Sequence, residues 1–286
     1  MQSSAALRGV AWMVASGFVY SMSTGIVRYL ADYMTPAEIV FWRSVTGLAV
    51  MLPWAIRAGG AALKTSAWSL LGLRSIASYL GMLCSFYAYS KIAIADAVAL
   101  QFTLPLFTIL LAGVLLGERI GRQGFLACVI GFVGALVIVR PGFETVTLAT
   151  IAALGAAVFY ACTNVVIKLL SRSVSTYAMT FYINVMVLPL ALPLTVYLWS
   201  GLSWAIVPWI VAFGAINTVA QICLTNAIRA ADARIVQPFD FLRLPFGAAI
   251  GYLAFDQTAD VLTFVGAAII CAAAYYALLR EGRAPA

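Results

Sequence analysis

The sequence predicts an all-α integral membrane protein: ten transmembrane helices in two inverted five-helix repeats, with both termini cytoplasmic. Three observations predict it. Of 286 residues, 64% are hydrophobic and 9% are charged, against roughly 45–50% and about 25% in a soluble domain. Ten apolar stretches approach the about 20 residues that a spanning helix needs. The second half of the chain then repeats the pattern of the first. With a mean hydropathy of +1.02, the chain has too little polar surface to cover itself in water. In lipid every backbone polar group must be satisfied internally, so helices are the natural form.

The first stretch, 7–30, is long enough to span by itself, so it is a span and not a cleaved signal. Tyr20, Ser23 and Thr24 share one of its faces by i, i+3, i+4 spacing. The second, 36–56, opens at Pro36 and carries Glu38 and Arg43; Arg43 either binds a carboxylate or pairs with Glu38. The third, 67–89, has Arg74 near its start and a mixed stripe of Ser75, Tyr79, Met82 and Phe86. Gln101 and Pro105 fall in the fourth, 95–116. In the fifth, 122–139, Gly124, Gly131 and Gly134 form a small face suited to close helix packing.

The sixth, 147–169, carries Tyr160, Thr163 and Asn164, and the seventh covers 176–198. Asn217, Gln221 and Thr225 make an i, i+4, i+8 stripe on the eighth, 206–228. The ninth, 235–254, contains Asp240 and Arg243 as an i, i+3 pair, followed by Pro245. The tenth is 261–279. The connections between spans leave no room for a soluble domain.

Charge sets the orientation. The chain has 17 Lys and Arg, 10 Asp and Glu, and no His, a net charge of +7. Lys and Arg favour cytoplasmic loops. With the N-terminus inside, the inner ends carry Arg8, Arg57, Lys64, Arg119, Arg122, Lys168, Arg172, Arg229, Arg234, Arg280 and Arg283. The outer ends carry only Arg28, Lys91 and Arg140. The positive charge is therefore a topology signal and not a nucleic-acid footprint. Without His there is no basis for a Ser-His-Asp triad or a His-bearing zinc site, and no Cys pair has metal-ligand spacing. No phosphate-binding GxxxxGK[ST] loop is present. The chain is thus expected to be neither an enzyme nor a primary pump, and to need no cofactor or metal.

One constant shift lays the halves on each other, dividing the chain into 1–142 and 143–286. Tyr20 falls on Tyr160, Thr35 on Ser175, Phe41-Trp42 on Phe181-Tyr182, Leu52-Pro53 on Leu192-Pro193, and Leu104-Pro105 on Leu244-Pro245. Five spans per half is an odd number, so the halves lie with opposite topology. Arg28 and its counterpart Lys168 accordingly fall at opposite faces. Inverted repeats are a recurrent basis for alternating access around one central site.

The run Leu115-Leu116-Gly117-Glu118-Arg119, then Gly131-Phe132-Val133-Gly134 and Arg140-Pro141-Gly142, resembles the end of the first half of EamA-type proteins of the drug/metabolite transporter superfamily. Pro36 with Arg43, and Pro105, fit the same pattern. The second half departs from it, with Phe255-Asp256 where Gly-Glu would stand. The resemblance implies a ten-helix secondary transporter of the bacterial inner membrane. It also implies that spans one to four and six to nine surround the cavity, with five and ten peripheral. Within the family the chain looks most like the YddG-type exporters of amino acids and related compounds.

The expected function is export of amino acids or related small metabolites by alternating access. Efflux of lipophilic cations is the rival cargo, and an intramembrane enzyme or a scaffold is the alternative outside transport. The candidate substrate-binding residues are Tyr20, Ser23, Thr24, Arg43, Tyr79, Phe86, Gln101, Tyr160, Asn164, Asn217 and Gln221. Aromatic walls with sparse polar groups suit a small-molecule pocket; as the bland alternative, the polar stripes form interhelical hydrogen bonds worth about 0.6 kcal/mol each. A charge inside a span costs about 2.5–3.5 kcal/mol on insertion scales, so Arg74, Asp240 and Arg243, at similar depth, are expected to form one ion-pair cluster, either gate or brace. Pro105 and Pro245 are either hinges or fixed bends. The partners are a small-molecule substrate and the lipid bilayer, and the protein is a monomer or a weak dimer.

Overall fold

The computed structural model of the chain describes residues 2–59, 65–116, 122–139, 146–170, 173–230 and 237–281. All regular structure among them is helical. The helices are α1 (Gln2–Leu30), α2 (Pro36–Ala58), α3 (Trp68–Lys91), α4 (Ile94–Gln101), α5 (Leu104–Leu116) and α6 (Arg122–Val139) in the first half. The second half has α7 (Leu148–Leu170), α8 (Thr176–Tyr197), α9 (Val207–Ala230), a 3-10 segment (Gln237–Leu242), α10 (Arg243–Phe255) and α11 (Val261–Glu281). The ten sequence spans reappear with ends moved by a few residues. Among the described residues, six helical stretches, within α1, α2, α3, α7, α8 and α9, are long and apolar enough to cross a membrane.

Local chemistry sets the helix starts. Thr35 and Glu38 form a capping box at α2: the Glu38 amide donates to Thr35 Oγ1 (3.4 Å) and the Thr35 amide to Glu38 Oε2 (2.7 Å). Pro36 occupies the first helical position, where its missing N–H is no loss. Ser175, the counterpart of Thr35, caps α8 by accepting from the Ala178 amide at 3.2 Å.

The fourth and ninth spans are not single kinked helices. The fourth breaks between α4 and α5 at Phe102 and Thr103, whose amides donate three residues back, to Ala99 and Leu100. Pro105 follows in the first turn of α5. A proline at 105 has no amide to donate to the Gln101 carbonyl four residues earlier, and α4 ends at Gln101. The ninth span changes from 3-10 to α-helix at Leu242–Arg243, and Pro245 sits in the first turn of α10. Each break precedes its proline, and the two prolines are equivalent under the repeat shift.

The packing exchanges between halves. α1 packs on α9 and α7 packs on α3; α2 meets α8, α4 meets α10 and α6 meets α11. The α6–α11 seam needs glycine: a Cβ on Gly134 would lie 2.8 Å from the Gly266 carbonyl, and one on Gly266 would lie 2.6 Å from the Gly134 carbonyl. A Cβ on Gly131 would collide with Leu106 of α5. The small faces of Gly131 and Gly134 are thus filled within the chain. Val114, Phe132, Leu192, Val211 and Leu253 are exposed, as lipid contact permits. Tyr33, Tyr197, Trp199, Trp204 and Trp209, also exposed, gather at one end, where amphipathic rings suit the headgroup level.

Candidate functional site

Between the halves lies a cavity of about 610 Å³, within the range of small-molecule pockets. α1, α2, α3, α4, α5 and the Phe102 turn line it from the first half, and α7, α8, α9, the 3-10 segment and the start of α10 from the second. α6 and α11 contribute no lining residue among those described.

Ten of the eleven candidate substrate residues line this space: Tyr20, Ser23, Thr24, Arg43, Phe86, Gln101, Tyr160, Asn164, Asn217 and Gln221. Tyr79 does not. It packs into the hydrophobic core, and its hydroxyl is buried without a partner among the described residues. The face of α3 turned to the cavity is Arg74, Ser78, Met82, Ser85, Phe86 and Tyr89. The sequence stripe through Ser75 and Tyr79 is rotated one residue from it. Ser75 instead donates to the Leu71 carbonyl and contacts Met186.

Polar groups on the walls bond across helices. Tyr20 on α1 donates to Gln221 Oε1 on α9. Arg43 on α2 donates to Asn217 Oδ1 at 3.1 Å, and Asn217 Nδ2 donates to Ser23 Oγ at 3.3 Å. On the opposite wall Tyr89 donates to Gln101 Oε1 (3.0 Å), Gln101 Nε2 to Ser85 Oγ (3.2 Å), and Ser85 to Tyr160 Oη (3.4 Å). Gln101 ends α4, so the helix break aims its amide at this relay. Ser78 and Thr163 share a bond at 3.2 Å. Ser78, Ser85 and Tyr89 were not singled out from sequence; their successive i+3 and i+4 spacing from Arg74 and Met82 along α3 is the signal that finds them.

The charges divide. Asp240 Oδ2 lies 3.7 Å from Arg243 Nη1, as their i, i+3 spacing predicts. The Arg243 guanidinium also covers the Tyr20 ring at 5.0 Å, within cation–π range. Arg74 does not join this pair, so the expected three-member cluster does not form. Instead Arg74 donates from Nη1 to the Met179 carbonyl at 2.6 Å. Nor does Arg43 meet Glu38. That carboxylate is fully buried, held by Thr35 of its own cap and by Ser200 from the α8–α9 linker, and is absent from the cavity wall. Distance explains both differences: Met179 and Ser200 are far from their partners in sequence, and no local pattern announces them. Pro245 is not among the described lining residues. The side chains of Thr225 and Pro105, and the surroundings of Gly124, lie outside the described residues.

The chain matches the EamA-like transporter family twice, over residues 7–140 and again over 147–279. It is 32% identical to the pseudopaline exporter CntI of Pseudomonas aeruginosa strain UCBPP-PA14, over 93% of this chain and 94% of that protein. It is 33% identical to a riboflavin transporter of Brucella anthropi, over 85% and 87% of the two chains. An S-adenosylmethionine uptake transporter of Rickettsia prowazekii is 26% identical, over 96% and 94%. A solved crystal structure superposes with a TM-score of 0.63 at 17% identity, covering 99% of this chain and 100% of that one; it bears on the fold alone. The named cargoes and directions differ, so kinship by itself selects neither. This chain belongs to the EamA-like transporter family and is a multi-pass membrane transporter.

Proposed function

We propose that the protein is a secondary carrier exporting amino acids or related small amphipathic metabolites across the bacterial inner membrane by alternating access. Both termini are cytoplasmic, the halves 1–142 and 143–286 are inverted repeats, and a monomer is the working unit. The observation that carries this reading is a cavity walled by both halves, entered at equivalent places by broken helices. Interrupted helices at the interface of two repeats are where carriers of this kind bind cargo. The exchange of packing partners between halves supports the inversion: swapping α1 with α7 and α3 with α9 returns the same pairs. Filling of the Gly131 and Gly134 faces inside the chain supports the monomer.

The wall chemistry favours an amino-acid-like cargo. Phe86 and Tyr160 offer apolar and aromatic surface, and Ser23, Gln101 and Asn164 offer neutral donors and acceptors. Tyr20 is covered by Arg243, so its ring face is occupied by a cation of the protein itself. Among the described lining residues, a lipophilic cation would meet Arg43, Arg74 and Arg243 against the carboxylate of Asp240, an unfavourable field. Asp240 with Arg243 serves as the gate, and the breaks before Pro105 and Pro245 as hinges. The chain performs binding and release without covalent chemistry. Counterflow in proteoliposomes tests this: internal amino acid accelerates uptake of a labelled one, saturably. Absence of amino-acid counterflow, with methyl viologen or a nucleotide sugar exchanging instead, overturns the cargo class.

A further inference from the structure

Among the described residues, Arg43 and Arg74 of the cavity have no anion. Arg74 is 6% exposed, its Nη1 donates to a neutral carbonyl, and its Nε is buried with no partner among the described residues. Arg43 donates from Nη2 to the neutral amide of Asn217, and its Nη1 is likewise buried and unpartnered. Neither meets a carboxylate among the described residues, since Asp240 is taken by Arg243 and Glu38 by Thr35 and Ser200. Taking an ion from water carries a penalty of several kcal/mol unless attraction and hydrogen bonds offset it. Two like charges on one pocket add repulsion.

Both arginines also line a side pocket of about 60 Å³, between α2, α3, α8 and α9, with Thr180, Asn184 and Asn217 on its wall. This space is far below the roughly 300 Å³ of a whole-ligand site, yet takes a group the size of a carboxylate. A guanidinium fork matches two carboxylate oxygens.

We infer that Arg43 and Arg74 form an anion subsite that receives a carboxylate of the transported molecule, so the cargo is a carboxylic acid with an apolar or aromatic body held in the main cavity. This inference rests on the carrier reading above and narrows its substrate class. One bound carboxylate gives both guanidiniums an anionic partner and halves the uncompensated charge, which makes the loaded cavity the electrostatically more relaxed one.

The test uses the full chain in lipid nanodiscs and, in parallel, in proteoliposomes. The probes are phenylalanine, N-acetylphenylalanine and succinate, each beside its primary amide. Binding is read by ligand-induced thermal stabilisation and transport by counterflow. The wild type is expected to bind acids about tenfold more tightly than the amides, the size of a charge-assisted contact. In Arg43→Gln and Arg74→Gln the acid-to-amide ratio falls toward one while amide binding persists. Should a glutamine variant fail to fold, the wild-type ratio stands as the test, and Arg43→Lys and Arg74→Lys, with charge kept and the fork lost, show a reduced preference. Equal binding of acids and amides by the wild type, a preference that survives both glutamine variants, or no binding of any probe overturns the inference. Amide flux without acid preference overturns it and leaves the carrier; acid-selective binding without saturable flux overturns the carrier.

Discussion

Arg243 lies over the ring of Tyr20 at 5.0 Å while its guanidinium faces Asp240 at 3.7 Å. The start of α10 is thereby fastened to the middle of α1, across the line between the halves. Ser21 strengthens the same junction by donating to the Arg243 carbonyl at 3.2 Å. If this junction gates the cavity, Asp240→Asn slows counterflow by about tenfold, the scale of a lost charge-assisted contact, with expression unchanged. The exchange Asp240→Arg with Arg243→Asp recovers part of the rate. Normal flux in Asp240→Asn means that the pair is only a brace.

Glu38 makes a second junction. Its two oxygens take the Thr35 amide (2.7 Å), the Ser200 amide (2.9 Å) and the hydroxyls of both residues. Glu38→Ala removes the reciprocal half of the α2 capping box and its tie to the α8–α9 linker together, while the amide at 38 still donates to Thr35. The expected loss is about 2–3 kcal/mol, read as a lowered unfolding midpoint in detergent. Ser200→Ala keeps the backbone donor and loses only about 1 kcal/mol.

Close approach at Gly134 and Gly266 leaves no room for a side chain. Gly134→Val or Gly266→Val forces α6 from α11 and destabilises the fold by about 1–3 kcal/mol, the usual range for overpacking. Thermal unfolding measures it. Crosslinking between copies is expected to stay unchanged, because this seam lies inside one chain.

Pro105 and Pro245 sit in first turns, where proline is well tolerated. Pro105→Ala and Pro245→Ala are therefore expected to move stability by less than about 1 kcal/mol, against about 3 kcal/mol for a mid-helix proline. Both slow counterflow if continuous helices replace the breaks. Unchanged rates in the double variant contradict a hinge role.

The spans were legible because hydropathy and length act over whole segments, and burial in lipid tolerates little else. Most of the cavity wall was legible too, since Tyr20 with Thr24 and Asn217 with Gln221 repeat at helical spacing among apolar residues. Tyr79 was misplaced because Ser75-Tyr79 and Arg74-Ser78 are adjacent faces of α3, and only packing against α7 selects between them. The fate of Glu38 was hidden because Ser200 reaches it from the other half. Arg74 was assigned to a carboxylate on depth alone, whereas the nearer acceptor was a backbone carbonyl, to which sequence gives no clue. The proline positions were legible in the sequence, but not that each would follow a helix break instead of sitting in one continuous kinked helix, because where a helix ends depends on the backbone pairing of the turn before it.

Alternating exposure of the cavity is the central claim, and Ser85 sits on its wall, buried by α3 and α7. The most direct measurement is labelling of Ser85→Cys, with the native cysteines replaced by Ala, using a membrane-impermeant thiol reagent applied to one side at a time. The account predicts modification from either side, slowed by saturating cargo, with no ion conductance at any stage. Modification from one side only under all loading conditions, or a steady conductance, contradicts it.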